Sequence, residues 1–170
     1  MSEPKFGEKG LKSTRYQVFR RSAAEYTPIT TASDYETFRE TFDGGDKAVA
    51  LGVISDASLK RTCTPNKTEL VSGGSSGAKN KVLNYKGNFE LKHMNLSAEN
   101  QGYLDGLDGV VSDFLLEDVK LRRSIVILAV DPSIEEEEVN GEVPSATIKA
   151  EKIVDEKTDF RQFIYHETLT

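Results

Sequence analysis

The chain has 170 residues, 37% of them hydrophobic and 29% charged, enough for one ordinary globular domain that buries its own core. Its longest apolar run, Ile125 to Val130, falls far short of the roughly 18 residues a membrane-spanning helix needs, and the opening "MSEPKFGEKGLKSTR" has no apolar signal core, so use without export is expected. One cysteine, Cys63, excludes an internal disulfide framework and a Cys-rich zinc site, and the formal net charge of −6 argues against a protein that grips nucleic acid through a basic face.

Along the chain, "STRYQVFRR" (Ser13 to Arg21) alternates as a first strand does. "SDYETFRETFDGG" then places Glu36 three residues after Ser33, a capping-box spacing, and sets Tyr35, Phe38 and Phe42 on one helical face. Gly44 and Gly45 stop it, which predicts a short helix from Asp34 to Phe42. The β-branched stretch Ala48 to Leu59 reads as one long strand or two short ones. Further on, Phe89, Leu91 and His93 share one face and Glu90, Lys92 and Met94 the other, the period of two of a half-exposed strand. Ser97 caps a second short helix that Gly106 closes. "GVVSDFLLED", "LRRSIVILAVD", "SATIKAEKIV" and "RQFIYHETL" are four further strands. The expected fold is mainly β: an antiparallel β-sandwich or partly closed barrel with one or two short flanking α-helices.

Between two of the strands lies "VSGGSSGAKNKVLNYKG", Val71 to Gly87, two residues short of a nucleotide-binding loop. Such a loop needs a helix to begin at once, so that N–H groups and dipole meet the phosphates. Here Ala78 replaces the second glycine, Asn80 replaces the hydroxyl, and strand period follows Lys81. The stretch is therefore a compliant hairpin tip carrying Lys79 and Lys81.

Other chemistry is thinly signalled. His93 and His166 stand apart from any nucleophile motif, so each reads as a surface or core-edge residue. Cys63 lies near Arg61, and an inert thiol is the simpler account. The run Glu135, Glu136, Glu137 and Glu138, with Glu142, lacks the alternating ligands of a calcium loop. It reads as a solvated acidic loop, or as an acidic surface that repels a polyanion or meets a basic patch such as Lys9, Lys12 and Arg15 on a neighbour. Charge is uneven overall: residues 1–85 carry 13 Lys/Arg against 10 Asp/Glu, and residues 86–170 carry 9 against 18. That asymmetry makes one copy's front complementary to another's back, although an ordinary acidic surface fits equally well.

Four stretches together resemble the major tail tube proteins of long-tailed bacteriophages, particularly the non-contractile, siphophage type. They are "GEKGLKSTRYQVF", "ALGVISDASLKRTCTPNKTELVS", "YKGNFELKHMNLSAENQGYLDG" with its aromatic-x-Gly-x-hydrophobic-Glu-hydrophobic strand, and "DGVVSDF". The likeness spans roughly residues 6 to 116. The segment from Ser124 onward departs from it, and the helix at Asp34 to Phe42 looks like an insertion.

The resemblance implies a single tail-tube-like domain over residues 1–170, with 1–12 as a flexible N-terminal arm and 72–81 as an extended hairpin loop. It implies a virion protein without catalytic activity or cofactor, assembled in the host bacterial cytoplasm. Its partners would be itself, in stacked homo-hexameric rings, the tape measure and the tail-end or terminator proteins. Double-stranded DNA would pass through without specific binding, and no membrane would be involved. Gly73, Gly74, Ser75, Ser76, Gly77, Lys79 and Lys81 would then contact the next ring, Lys9, Lys12 and Arg15 would act in the arm, and Glu135 to Glu138 would line the lumen or an interface. Alternatives are a tube protein of a contractile tail, a tail-end ring protein, or a monomeric β-sandwich binding module.

Overall fold

A computed structural model describes residues 16–42, 48–54, 59–70, 79–93, 98–118, 120–142 and 144–170. In chain order the elements are β1 (Tyr16–Ser22), α1 (Ala32–Glu40), β2 (Ala48–Ile54), β3 (Leu59–Leu70), β4 (Lys79–His93), α2 (Ala98–Asp105), β5 (Ser112–Asp118), β6 (Arg123–Val130), β7 (Pro132–Glu137), β8 (Ser145–Val154) and β9 (Arg161–Tyr165). They form a five-stranded sheet, β2-β1-β5-β6-β9, and a four-stranded sheet, β3-β4-β8-β7, with every neighbouring pair antiparallel. The two sheets remain separate, so of the two expected architectures the sandwich is the one adopted.

Successive strand residues point to opposite faces, and in the five-stranded sheet both faces are apolar. Val18, Phe114, Leu116, Ile125 and Ile127 turn inward, against Phe89, Leu91 and Ile148 of the other sheet and Leu104 and Leu107 from α2 and the turn after it. Their chain neighbours Phe19, Leu115 and Val126 turn outward, where Tyr35, Phe42 and Ile164 cover them. The helix expected at Asp34 to Phe42 therefore closes the second face of this sheet. Its hydrophobic set is as the spacing predicts, but its cap is not. Thr31, in extended backbone, accepts from the Asp34 N–H at 3.0 Å, and the helix already includes Ser33, whose carbonyl takes the Thr37 hydroxyl. The cap falls two residues earlier, at Thr31, whose extended backbone has the φ/ψ a cap requires.

A buried ion pair ties these layers together. Arg21 Nε lies 2.8 Å from Asp113 Oδ2, with side chains 6% and 0% exposed. Asp113 also accepts the N–H groups of Ala24 and Ala129. Ala129 has φ 45°, and the β5–β6 register shifts at this point, so Asp113 pins a bulge that bends β6. Arg21 in turn donates to Thr41 Oγ1 at 2.7 Å and stacks on Phe38 and Phe42, 5.0 and 4.6 Å from the ring centres.

Two expectations are corrected. The acidic run is not a loop: Glu135, Glu136 and Glu137 belong to β7, the edge strand beside β8, and only Glu138 follows it. A run of four glutamates carries no alternation to signal a strand, yet Ile134 packs on the core and pairing with β8 supplies the rest. The extended loop placed at 72–81 also overlaps β4, since Lys79 and Lys81 already pair with Leu70 and Thr68.

Candidate functional site

The β3–β4 hairpin is longer than the sandwich that carries it. β8 pairs with β4 from His93 to Tyr85, where Val154 is the last partner. Beyond Tyr85, β4 runs on to Lys79 with β3 as its paired neighbour. Six residues, Lys79 to Asn84, thus build a two-stranded arm roughly 20 Å long at the rise of a strand. An isolated two-stranded ribbon is marginally stable in water.

Local chemistry fixes how the arm leaves the body. Asn66 opposes Asn84, and their side-chain amides bond at 2.6 Å. Next, Lys67 opposes Val82, so Leu83 is the extra residue of a bulge, which increases the twist there. Leu83 is 56% exposed, Val82 38% and Ile153, near the arm's root, 65%. Gly87 marks the body end: a Cβ there would lie 2.4 Å from the Phe160 ring, so this glycine of the aromatic-x-Gly pattern makes room for a ring seated on the strand.

The opposite edge of the same sheet is acidic. Glu135, Glu136 and Glu137 are exposed on β7. Glu135 Oε2 pairs with Lys149 Nζ at 2.6 Å, and the Lys149 ammonium is held above its usual pKa mainly by that bond. Glu136 accepts from Gln101 Nε2 on α2.

The remaining candidates divide clearly. Gly73, Gly74, Ser75, Ser76 and Gly77, and the arm residues Lys9, Lys12 and Arg15, lie outside the described residues. Lys81 is exposed on the arm. Cys63 is half-buried, free, and packed against the core. Among the described residues, no group of three or more His, Cys, Asp or Glu is placed to hold a metal ion, and no helix is long and apolar enough to cross a membrane.

His166 gains partners that the sequence did not announce. Its Nε2 lies 2.9 Å from Ser124 Oγ, which lies 2.6 Å from Tyr35 Oη, and the Tyr35 ring meets the imidazole edge-on at 4.7 Å. Ser124 is fully buried, so this row of polar groups serves as a tie between α1, β6 and the C-terminal turn. Burial drives the Tyr35 phenol well above its ordinary pKa, against a lowering by its bond to Ser124.

No protein-family model and no curated protein matches the chain. Among solved structures it is similar to a chain in the virion of a native gene transfer agent particle, at 11% identity, over 56% of this chain and 80% of that one. The TM-score is 0.44, too low for the likeness to carry a function.

Proposed function

We propose that the chain is a self-assembling structural subunit of a phage tail tube, forming stacked rings of six and performing no catalysis. The observation that carries this reading is the projecting β3–β4 arm, with Val82, Leu83 and Ile153 turned to solvent at and near its root. A ribbon of that kind gains stability only when another surface covers it. The tail tube resemblance implies a contact between rings through Gly73 to Gly77, Lys79 and Lys81, and the last two belong to this hairpin.

Two further features support assembly. Both sheets of the sandwich have edge strands, which are hazards in a monomer and joining devices in a ring. The acidic surplus of residues 86–170 suits a bore through which DNA slides, because attraction repeated over many phosphates would hold the duplex.

Negative-stain microscopy and sedimentation of the purified, concentrated protein test the proposal. Hollow rings or tubes are expected. A monodisperse monomer at high concentration, in the presence of tail assembly partners, would overturn it.

A further inference from the structure

Three guanidinium groups converge on one aromatic ring where β3 and β9, edge strands of the two sheets, come together. Arg161 lies 4.4 Å, Arg123 5.1 Å and Arg61 5.4 Å from the centre of Phe163. They come from β9, β6 and β3, so folding alone creates the cluster.

Among the described residues its charge is poorly compensated. Nε of Arg123 and of Arg161 are enclosed without a hydrogen-bond partner. Among the described residues, none of the three arginines forms a salt bridge with a carboxylate. Asp118 is opposite Arg123 in the β5–β6 register, and its Oδ1 accepts the N–H groups of Lys120 and Leu121. Burial, and then the charges of Arg161 and Arg123, push the Arg61 pKa down. Beside the cluster a recess of about 340 Å³ opens, with Arg61 and Arg123 in its wall. One ring's quadrupole does not neutralise three like charges, so the arrangement favours an incoming anion.

The complementary charge lies on the other side of the same sheet. β7 is the edge opposite β3, three strand spacings or roughly 14 Å away. Ile134 packs on the core, so by the period of two Glu136 faces the layer between the sheets while Glu135 faces outward with Lys149. Glu138 is the first residue past the strand and is exposed beside it. Arg61 reaches Phe163 in the other sheet and therefore faces that same inter-sheet layer. If the four-stranded sheet of one copy continues into the next with β7 beside β3, Glu136 and Arg61 fall in one layer.

We infer that Arg61, Arg123 and Arg161 form a carboxylate socket for β7 of a second copy, with Glu136 and Glu138 as the entering groups. The inference rests on the assembly reading above. Socket and insert are different surfaces, so the contact is head-to-tail and repeats around a ring or along a filament.

Charge reversal tests it. A socket-reversed variant carries Arg61→Glu with Arg161→Glu, and an insert-reversed variant carries Glu136→Lys with Glu138→Lys. Each alone should lose assembly at least tenfold by sedimentation velocity, while mixing the two, or combining all four changes in one chain, should restore it to within about threefold of wild type. Because the socket variant loses packing on Phe163, a second measurement guards against misfolding: Arg61→Cys with Glu136→Cys, in a Cys63→Ser background, should give a ladder of disulfide-linked copies on oxidation. Wild-type assembly with unchanged assembly of both reversed variants and no ladder would overturn the socket and leave the assembly reading standing. A wild-type protein that stays monomeric would overturn both. Titration with inorganic phosphate that saturates the wild type but not the socket variant, with assembly indifferent to both reversals, would overturn a second copy as the occupant.

Discussion

The two sheets differ in what covers them. The five-stranded sheet is sealed on both faces, by the other sheet inside and by α1 with the C-terminal segment outside, and β5 is accordingly buried almost without interruption. Among the described residues, the four-stranded sheet is covered on one face, so Phe89 and Leu91 are buried while Lys92 is exposed, and its β3–β4 pairing runs on past the end of β8. The first sheet carries most of the buried core, the second carries the acidic edge and the arm, and the arginine cluster draws on both. Changes in the buried faces of the first, away from the arginine cluster, should therefore cost stability, and changes in the exposed parts of the second should cost contacts.

The hardest blow to that division is expected at Asp113. Asp113→Ala leaves the Arg21 guanidinium buried without its anion and strips the acceptor from two backbone N–H groups, including that of the bulged Ala129. Loss of one partner of a buried pair costs about 3–5 kcal/mol, and the stranded N–H groups place this change at the upper end. Urea unfolding should show that drop; a fall below about 1 kcal/mol would mean that the pair is peripheral. Phe42→Ala comes next. Its ring is fully buried on the outer face and carries Arg21 above it, so about 3 kcal/mol is expected from the cavity left behind. An equal loss from truncating an outward-facing residue of the four-stranded sheet would abolish the contrast.

The sequence announces these two regions unequally. Tyr35, Phe38 and Phe42 recur at helical spacing, so α1 and its apolar face are readable, but nothing local says that the face seals a sheet that is already apolar on its other side. The β3–β4 hairpin is readable because a Gly/Ser stretch separates segments of strand character, and its flanks pair as that pattern requires. β7 is not, because one inward anchor, Ile134, precedes consecutive glutamates whose strand state depends on β8. The arginine cluster is invisible for a different reason: positions 61, 123 and 161 meet only through the packing of two sheets. Asp113, too, looks like any strand aspartate until folding encloses it.

A smaller effect, with its own signature, belongs to the tie between α1 and the C-terminus. Tyr35→Phe removes the hydroxyl that meets Ser124 and should cost about 1 kcal/mol near neutral pH. Its pH dependence has a definite sign. The folded phenol holds its proton to higher pH than the unfolded one, whose pKa is the ordinary tyrosine value of about 10. Above that pH the unfolded state binds fewer protons, so stability falls as pH rises, by up to about 1.4 kcal/mol per pH unit for one group. Tyr35→Phe should flatten that decline. Tyr26 and Tyr103 are also raised by burial, so the slope should shrink and not vanish.

The smallest expected change in stability tests the other half of the comparison most sharply. Leu83 is the unpaired residue of the bulge at the arm's root, 56% exposed, so Leu83→Ser removes little that the isolated subunit buries. Its unfolding free energy should shift by no more than about 0.5 kcal/mol, as for other surface substitutions. In an assembly the same side chain would be covered by a neighbour, and removing a buried leucine from a contact weakens it by about 2 kcal/mol, roughly thirtyfold at each interface. Rings or tubes should therefore dissociate at protein concentrations where the wild type holds together, while thermal melting of the subunit stays put. If melting falls and assembly persists, the arm belongs to the fold and the division of labour between the sheets is wrong. If neither moves, Leu83 faces solvent in the assembly as well, and the contact lies elsewhere on the subunit.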